Sequence, residues 1–180
     1  FSAMTNSQNF SLYSLNGSAM QMFTHGTITG LSFLTVGLIY DRTHTRDINK
    51  LGALTRKMPM IALFFMISGL ASLGLPGFSG FVSEIMIFLG TYKIYPVYTI
   101  ISAFGVVLAA GYILWMTQRA LFGDNRLEKD DKTYDFNSLK DASYFDLLPA
   151  FIITIPIILI GIWPNIFIDF FDLGIKEIIR

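Results

Sequence analysis

The chain has 180 residues, of which 53% are hydrophobic and only 14% charged, whereas a soluble domain carries about 25% charged residues. Lys and Arg balance Asp and Glu, so no basic excess points to nucleic acid as a partner. With no cysteines and only two histidines, disulfides, thiolate catalysis and cysteine-bound zinc or iron–sulfur centres are excluded, and no metal site is expected. The composition is that of an integral membrane protein.

Residues 1–18 are a polar, Ser/Asn-rich lead-in that begins on Phe1. They lack the charged, apolar and cleavage regions of a signal peptide, so the expectation is a processed chain or a piece of a longer one.

The first apolar block, residues 19–40, is long enough for a bilayer core of about 30 Å, which takes about 20 helical residues. It places His25, Thr29 and Ser32 on one helix face. Gly26, Gly30 and Gly37 fall on another, where small residues let helices approach closely. His25 is either a proton relay, since an imidazole passes a proton between its two nitrogens, or a helix-end histidine bonded to a carbonyl. The loop that follows, "YDRTHTRD", gathers Asp41, Arg42, His44, Arg46 and Asp47. It reads as an ion-pair cluster at the membrane edge. His44 beside two arginines is a poor metal ligand.

The second block, residues 58–92, is too long for one span: at about 1.5 Å per residue it would make a rod of roughly 50 Å. "LPGFSG" divides it. Pro76 removes a backbone donor and clashes with the preceding turn, while Gly77 and Gly80 relax the backbone. Two half-helices joined by a break are predicted, the alternatives being a helix hairpin or a kinked, tilted helix. Irregular backbone at membrane depth survives only under a cover of protein or beside a water-filled cavity, and broken helices are a device of transporters. Glu84 follows the break. A carboxylate at the bilayer centre costs roughly 3 kcal/mol on insertion scales, so Glu84 is a candidate proton carrier. Its other readings are an interfacial acid or one half of a structural salt bridge.

The third block, residues 95–122, carries Ser102, Gly105, Ala109 and Tyr112 on one stripe, which reads as helix packing. A polar, mixed-charge connection follows at 123–143. The fourth block, residues 145–171, contains Pro149, Thr154, Pro156 and Pro164 and reads as a peripheral, kinked span. Residues 172–180 form a C-terminal tail. The loop after block one holds Arg42, Arg46, Lys50, Arg56 and Lys57, and the loop after block three holds Arg119, Arg126, Lys129, Lys132 and Lys140. The loop between blocks two and three offers only Lys93. By the positive-inside rule the two basic loops share the cytoplasmic, stromal or matrix side. The fold expected is all-α and integral to the membrane, with about four transmembrane helices, the second broken at Pro76–Gly77.

Two stretches, "QMFTHGTITGLSFLTVGLIYDRTHTRD" and "LASLGLPGFSGFVSEIMIFLGTY", together resemble the antiporter-like, proton-pumping membrane subunits of respiratory complex I (NDH-1), of the M type. The likeness spans roughly residues 16–123. It implies the C-terminal part of a fourteen-helix fold built from two inverted five-helix repeats, each with a broken helix. Block one would be helix eleven, block two the broken helix twelve, and the last two blocks helices thirteen and fourteen. The resemblance also implies roles. His25 matches a histidine on the family's central hydrated axis, and Glu84 matches the acid in the second part of the broken helix. Thr29 and Ser32 join this proton path from the helical face alone. The glutamate and lysines of the family's first half are absent, so the chain would be part of a longer or split subunit.

The function implied is a share in the proton-translocating membrane arm of an NADH (or ferredoxin):quinone oxidoreductase, as a non-redox subunit without a cofactor of its own. Flavin, iron–sulfur clusters and quinone would belong to partner subunits. The partners implied are the N-terminal part of the same subunit, on the same or a separate polypeptide, other membrane-arm subunits, and lipid. The membrane would be a bacterial plasma membrane, a thylakoid or a mitochondrial inner membrane. Alternatives are a subunit of a multi-subunit Na⁺/H⁺ antiporter, a membrane hydrogenase arm, or a structural half-subunit without transport.

Overall fold

The structure, a computed structural model, describes residues 2–124 and 136–179. Arg126, Lys129 and Lys132 of the second basic loop lie outside these residues. Every regular element among them is helical: α1 (Ser2–Thr43), α2 (Pro59–Ser72), α3 (Ser79–Tyr92), α4 (Pro96–Leu121), α5 (Tyr144–Ile162) and α6 (Asn165–Ile179), with single 3₁₀ turns at Leu54–Arg56 and Phe136–Ser138. Leu12–Thr43, α4 and α5 are each long and apolar enough to cross a membrane. At 14 residues, α2 reaches only about 21 Å and needs α3 to complete its span.

The polar lead-in is helical and continuous with block one. No proline interrupts it, and tertiary contact supports it. A Cβ on Gly17 would stand 2.8 Å from Met86 Cβ, and one on Gly90 would stand 2.6 Å from Ser14 Cβ. Only glycine at these two points lets α1 and α3 approach so closely. Gly26, Gly30 and Gly37 have no such neighbour within this chain: a Cβ on any of the three would meet nothing within 4 Å.

The break between α2 and α3 is built by local chemistry. The N–H groups of Leu75 and Gly74 donate to the carbonyls of Leu70 and Ala71 (both 3.2 Å), and Gly74 takes a left-handed φ of +65°. This is a Schellman cap, so Gly74 stops α2 before Pro76 is reached. Pro76 and Gly77 then occupy the centre of a turn closed by Phe78 N–H on the Leu75 carbonyl (3.2 Å). Gly77 has a φ of +101°, as the third position of a type II turn requires. Gly80 lies beyond the break, in the first turn of α3, where a Cβ would run into the Ala71 carbonyl oxygen.

The end of α5 covers this irregular segment, for a Cβ on Gly161 would strike the backbone of Gly77. α5 itself stops at Ile162. Trp163 adopts φ −130° and ψ 71°, outside the α region that a following proline disfavours, and Pro164 has no N–H to continue the ladder. The fourth block is therefore divided: α6 leaves at Asn165 and returns Phe167 and Ile168 against a small cluster of Met20, Met86 and Ile160. Phe167 stacks on Phe23 at 5.0 Å. Pro149 and Pro156 sit inside α5 without ending it.

The ends of the helices that carry the basic loops are tied together. Both oxygens of Asp141 cap α2, accepting from Met60 N–H (2.6 Å) and Ile61 N–H (3.2 Å). Arg42 pairs with Asp146 (2.9 Å), donates to the Lys140 carbonyl (3.1 Å) and to its own helix at Leu38 (3.0 Å). Thr55 donates to the Leu121 carbonyl (2.9 Å), joining the first basic loop to the end of α4. Beneath this clasp lies the main apolar core, where Leu31, Leu54, Met58, Ile61, Phe64 and Ile157 are almost wholly buried. Phe64 meets Phe151 edge-on at 4.8 Å.

Candidate functional site

A recess of about 290 Å³ opens where the broken helix faces α1 and α4. α1 contributes Gln21, His25, Ile28 and Thr29, which share a face because they recur at helical spacing. α2 contributes Ala71 and Ser72 at its end, α3 contributes Gly80 and Glu84, and α4 contributes Tyr112 and Ile113. The volume has room for several waters, and the polar groups offer them partners.

The break positions Glu84. A Cβ built on Gly74 would stand 2.6 Å from Glu84 Oε2 and 3.4 Å from its Cδ. The carboxylate thus folds back over the glycine that ends α2. Among the described residues Glu84 has no ion-pair partner.

Of the residues expected on a proton path, the recess brings together His25, Thr29 and Glu84. His25 is exposed within this chain. The Thr29 hydroxyl donates to the His25 carbonyl (2.7 Å), which leaves its lone pairs free to accept. Ser32 does not line the recess; its hydroxyl donates to the Ile28 carbonyl (3.0 Å). The break residues Pro76 and Gly77 stay outside the lining, and Gly80 is part of it.

The "YDRTHTRD" loop forms separate anchors rather than one cluster of mutual ion pairs. Arg42 reaches Asp146 in α5, the Arg46 guanidinium lies 4.5 Å over the Tyr40 ring, and His44 meets that ring edge-on at 6.2 Å. Asp47 Oδ1 accepts from Asn49 N–H (2.9 Å). Asp41 and Arg42 line a shallow surface hollow with Lys140 and Asp141. No three His, Cys, Asp or Glu side chains among the described residues gather as a metal would need.

Three polar groups of the recess escape a reading of the sequence for charged residues. Gln21 lies one turn before His25 on the same face, so helical periodicity alone could have found it. Tyr112 sits on a stripe that reads as packing, and Ser72 sits at a helix end. Only the fold turns those two toward Glu84. Beside the recess, Ser83 donates to Gln21 Oε1, and Thr24 Oγ1 stands 3.1 Å from Ser83 Oγ.

Imidazole, carboxylate, phenol and hydroxyls around one recess can accept, hold and release protons. The model of the NADH:quinone oxidoreductase/Mrp antiporter transmembrane family matches residues 2–110. The chain is 35% identical over 166 residues to NADH-quinone oxidoreductase subunit M of Rhodobacter capsulatus, covering 92% of this chain and 31% of that protein. It is 39% identical over 146 residues to F(420)H(2) dehydrogenase subunit M of Methanosarcina mazei, covering 76% of this chain and 29% of that one. Among solved structures it resembles a chain of respiratory complex I from Thermus thermophilus, with a TM-score of 0.69 and 27% identity over 86% of this chain and 32% of that one. The chain spans about a third of the length of these relatives. With more than half of its residues matched by the family model, and with an all-helical fold interrupted where the likeness to an antiporter-like subunit implied, this chain belongs to the NADH:quinone oxidoreductase/Mrp antiporter transmembrane family.

Proposed function

We propose that this chain is part of the proton-translocating membrane arm of an NADH (or ferredoxin):quinone oxidoreductase, and contributes half of a proton channel through His25 and Glu84. The observation that carries this reading is the recess at the helix break, where an imidazole and a carboxylate from two helices line one space together. Protons would hop through water between His25 and Glu84, with the Thr29 hydroxyl, whose hydrogen is on the His25 carbonyl, accepting from a water on the way. Electron transfer would occur in partner subunits holding flavin, iron–sulfur clusters and quinone, and this chain would be a non-redox subunit. Ser32 would act on the path only indirectly, through the helix that carries His25.

The remaining part of the same subunit, on the same or a separate polypeptide, would cover the open face of α1. Two observations support this. The relatives are about three times as long, and His25 is exposed on an apolar helix, where contact with lipid would be costly. Gly26, Gly30 and Gly37 lie open and would admit a helix at close range. The exposed apolar sides of α4 and α5 fit an energy-coupling membrane, a bacterial plasma membrane among the options. A second reading, a subunit of a multi-subunit Na⁺/H⁺ antiporter, draws support from the family description itself, which spans both kinds of protein.

The test is proton uptake by vesicles containing the whole complex, with quinone reduction followed in parallel, for the wild type and Glu84→Gln. The expected result is loss of pumping and of coupled turnover. Unchanged pumping would make the carboxylate structural and the chain a scaffold. Sodium-driven exchange without quinone reduction would favour the antiporter.

A further inference from the structure

We infer that Gln21 is a positioning residue of this site: it ties α1 to the second half of the broken helix at Ser83 and offers its amide hydrogens to the recess that holds Glu84. The inference rests on the proton-path reading proposed above.

The geometry fixes one end of the Gln21 side chain. Its Oε1 accepts from the Ser83 hydroxyl and lies 3.3 Å from Thr24 Oγ1. Thr24 Oγ1 and Ser83 Oγ are themselves 3.1 Å apart, and both residues are fully buried. Buried polar groups in apolar surroundings are held by hydrogen bonds, and this three-way contact is what fixes the carbonyl end. The amide nitrogen belongs to a side chain that also lines the recess, along with His25 and Glu84. Ser83 immediately precedes Glu84, so the tie sets the position of the backbone from which the carboxylate projects.

The chemistry then assigns a role. An amide NH₂ has two donors and no proton to give up in the physiological range. Gln21 therefore cannot relay a proton. It can hold a water or a carboxylate oxygen by donation, and so decide where the carrier sits when it loads and unloads. The titratable groups facing Glu84 across the recess are His25 from α1 and Tyr112 from α4. α2 brings only Ala71 and Ser72, and α5 does not line it.

The experiment uses the whole complex in vesicles and compares Gln21→Met, Gln21→Glu and Glu84→Gln for assembly, proton uptake and its pH profile. Gln21→Met keeps the length but removes both ends. It is expected to lower pumping about tenfold, the scale of a sub-ångström misplacement at a reacting group. Gln21→Glu keeps an oxygen for Ser83 and Thr24 but replaces the donor with a second carboxylate. It is expected to assemble normally and to shift the pH profile of pumping by about one unit, since two neighbouring carboxylates titrate as a coupled pair. Wild-type pumping and profile in both Gln21 variants, with Glu84→Gln inactive, would overturn the role of Gln21 and leave the proton path standing. Failed assembly of the Met variant with an unmoved profile in the Glu variant would also overturn it, as a tie with no part in the chemistry. If Glu84→Gln itself pumps normally, the proton path falls and the role of Gln21 with it.

Discussion

Replacing Gly74 by alanine places one methyl group between the two halves of the broken helix. The residue sits at φ +65°, where an L side chain costs about 1–2 kcal/mol. The new Cβ would lie 2.6 Å from Glu84 Oε2, while ordinary contact to a carbon is near 3.5 Å. The nearest backbone atom, Phe81 Cα, is 3.8 Å away, so the backbone has room and the carboxylate must move. It would retreat by the better part of an ångström, and a displacement of about 1 Å at a reacting group costs as much as about 100-fold. Gly74→Ala is therefore expected to reduce proton uptake by between about ten- and a hundredfold, with a stability loss of only about 1–2 kcal/mol. Glu84→Asp withdraws the carboxyl by one methylene and relieves the clash. In that background Gly74→Ala should cost far less pumping than in the wild type, a non-additivity typical of residues in contact. Vesicle assays on the four proteins of this cycle, with thermal unfolding alongside, supply the numbers. Equal pumping losses in both backgrounds, or no loss at all, would refute the idea that Gly74 seats Glu84.

Two further substitutions probe the frame around the recess. Gly161→Ala drives a methyl group into the Gly77 backbone, which cannot yield as a side chain can. Overpacking of this kind costs about 1–3 kcal/mol, and the complex should melt several degrees lower; an unchanged melting temperature would refute the contact. Asp141→Ala removes the cap shared by Met60 and Ile61; the expected loss is about 1 kcal/mol, with Asp141→Asn recovering part of it in the same thermal assay.

Much of the site was legible because charge and backbone chemistry are expensive in a membrane. Glu84 stands out as the acid of an apolar block, and "LPG" announces a turn wherever it sits, since proline and a positive-φ glycine belong at its two central positions. His25 and Thr29 follow from helical spacing. The sequence was less informative about where α2 ends. Pro76 is the obvious breaker, yet Gly74 stops the helix two residues earlier, because a Schellman cap needs a left-handed residue and the carbonyls of Leu70 and Ala71 are at hand. The "YDRTHTRD" loop carries enough charge to suggest pairing within itself, but Arg42 finds Asp146 in a distant helix instead.

Composition and periodicity by themselves determined that this is a helical membrane chain, that one span is broken, and that the break is followed by a carboxylate. These are one-dimensional properties: hydrophobic length, helical period and the dihedral demands of proline and glycine. Tertiary structure alone decided which polar groups meet. Ser32 shares a helix face with His25 but does not line the recess, whereas Tyr112, from a helix that reads as packing, does. It also decided which glycines pack: Gly17, Gly80, Gly90 and Gly161 lie against neighbouring atoms while Gly26, Gly30 and Gly37 lie open. The physical reason is that a glycine or a hydroxyl has no intrinsic preference for a partner, and its role is set by whichever element the rest of the fold brings within a few ångströms.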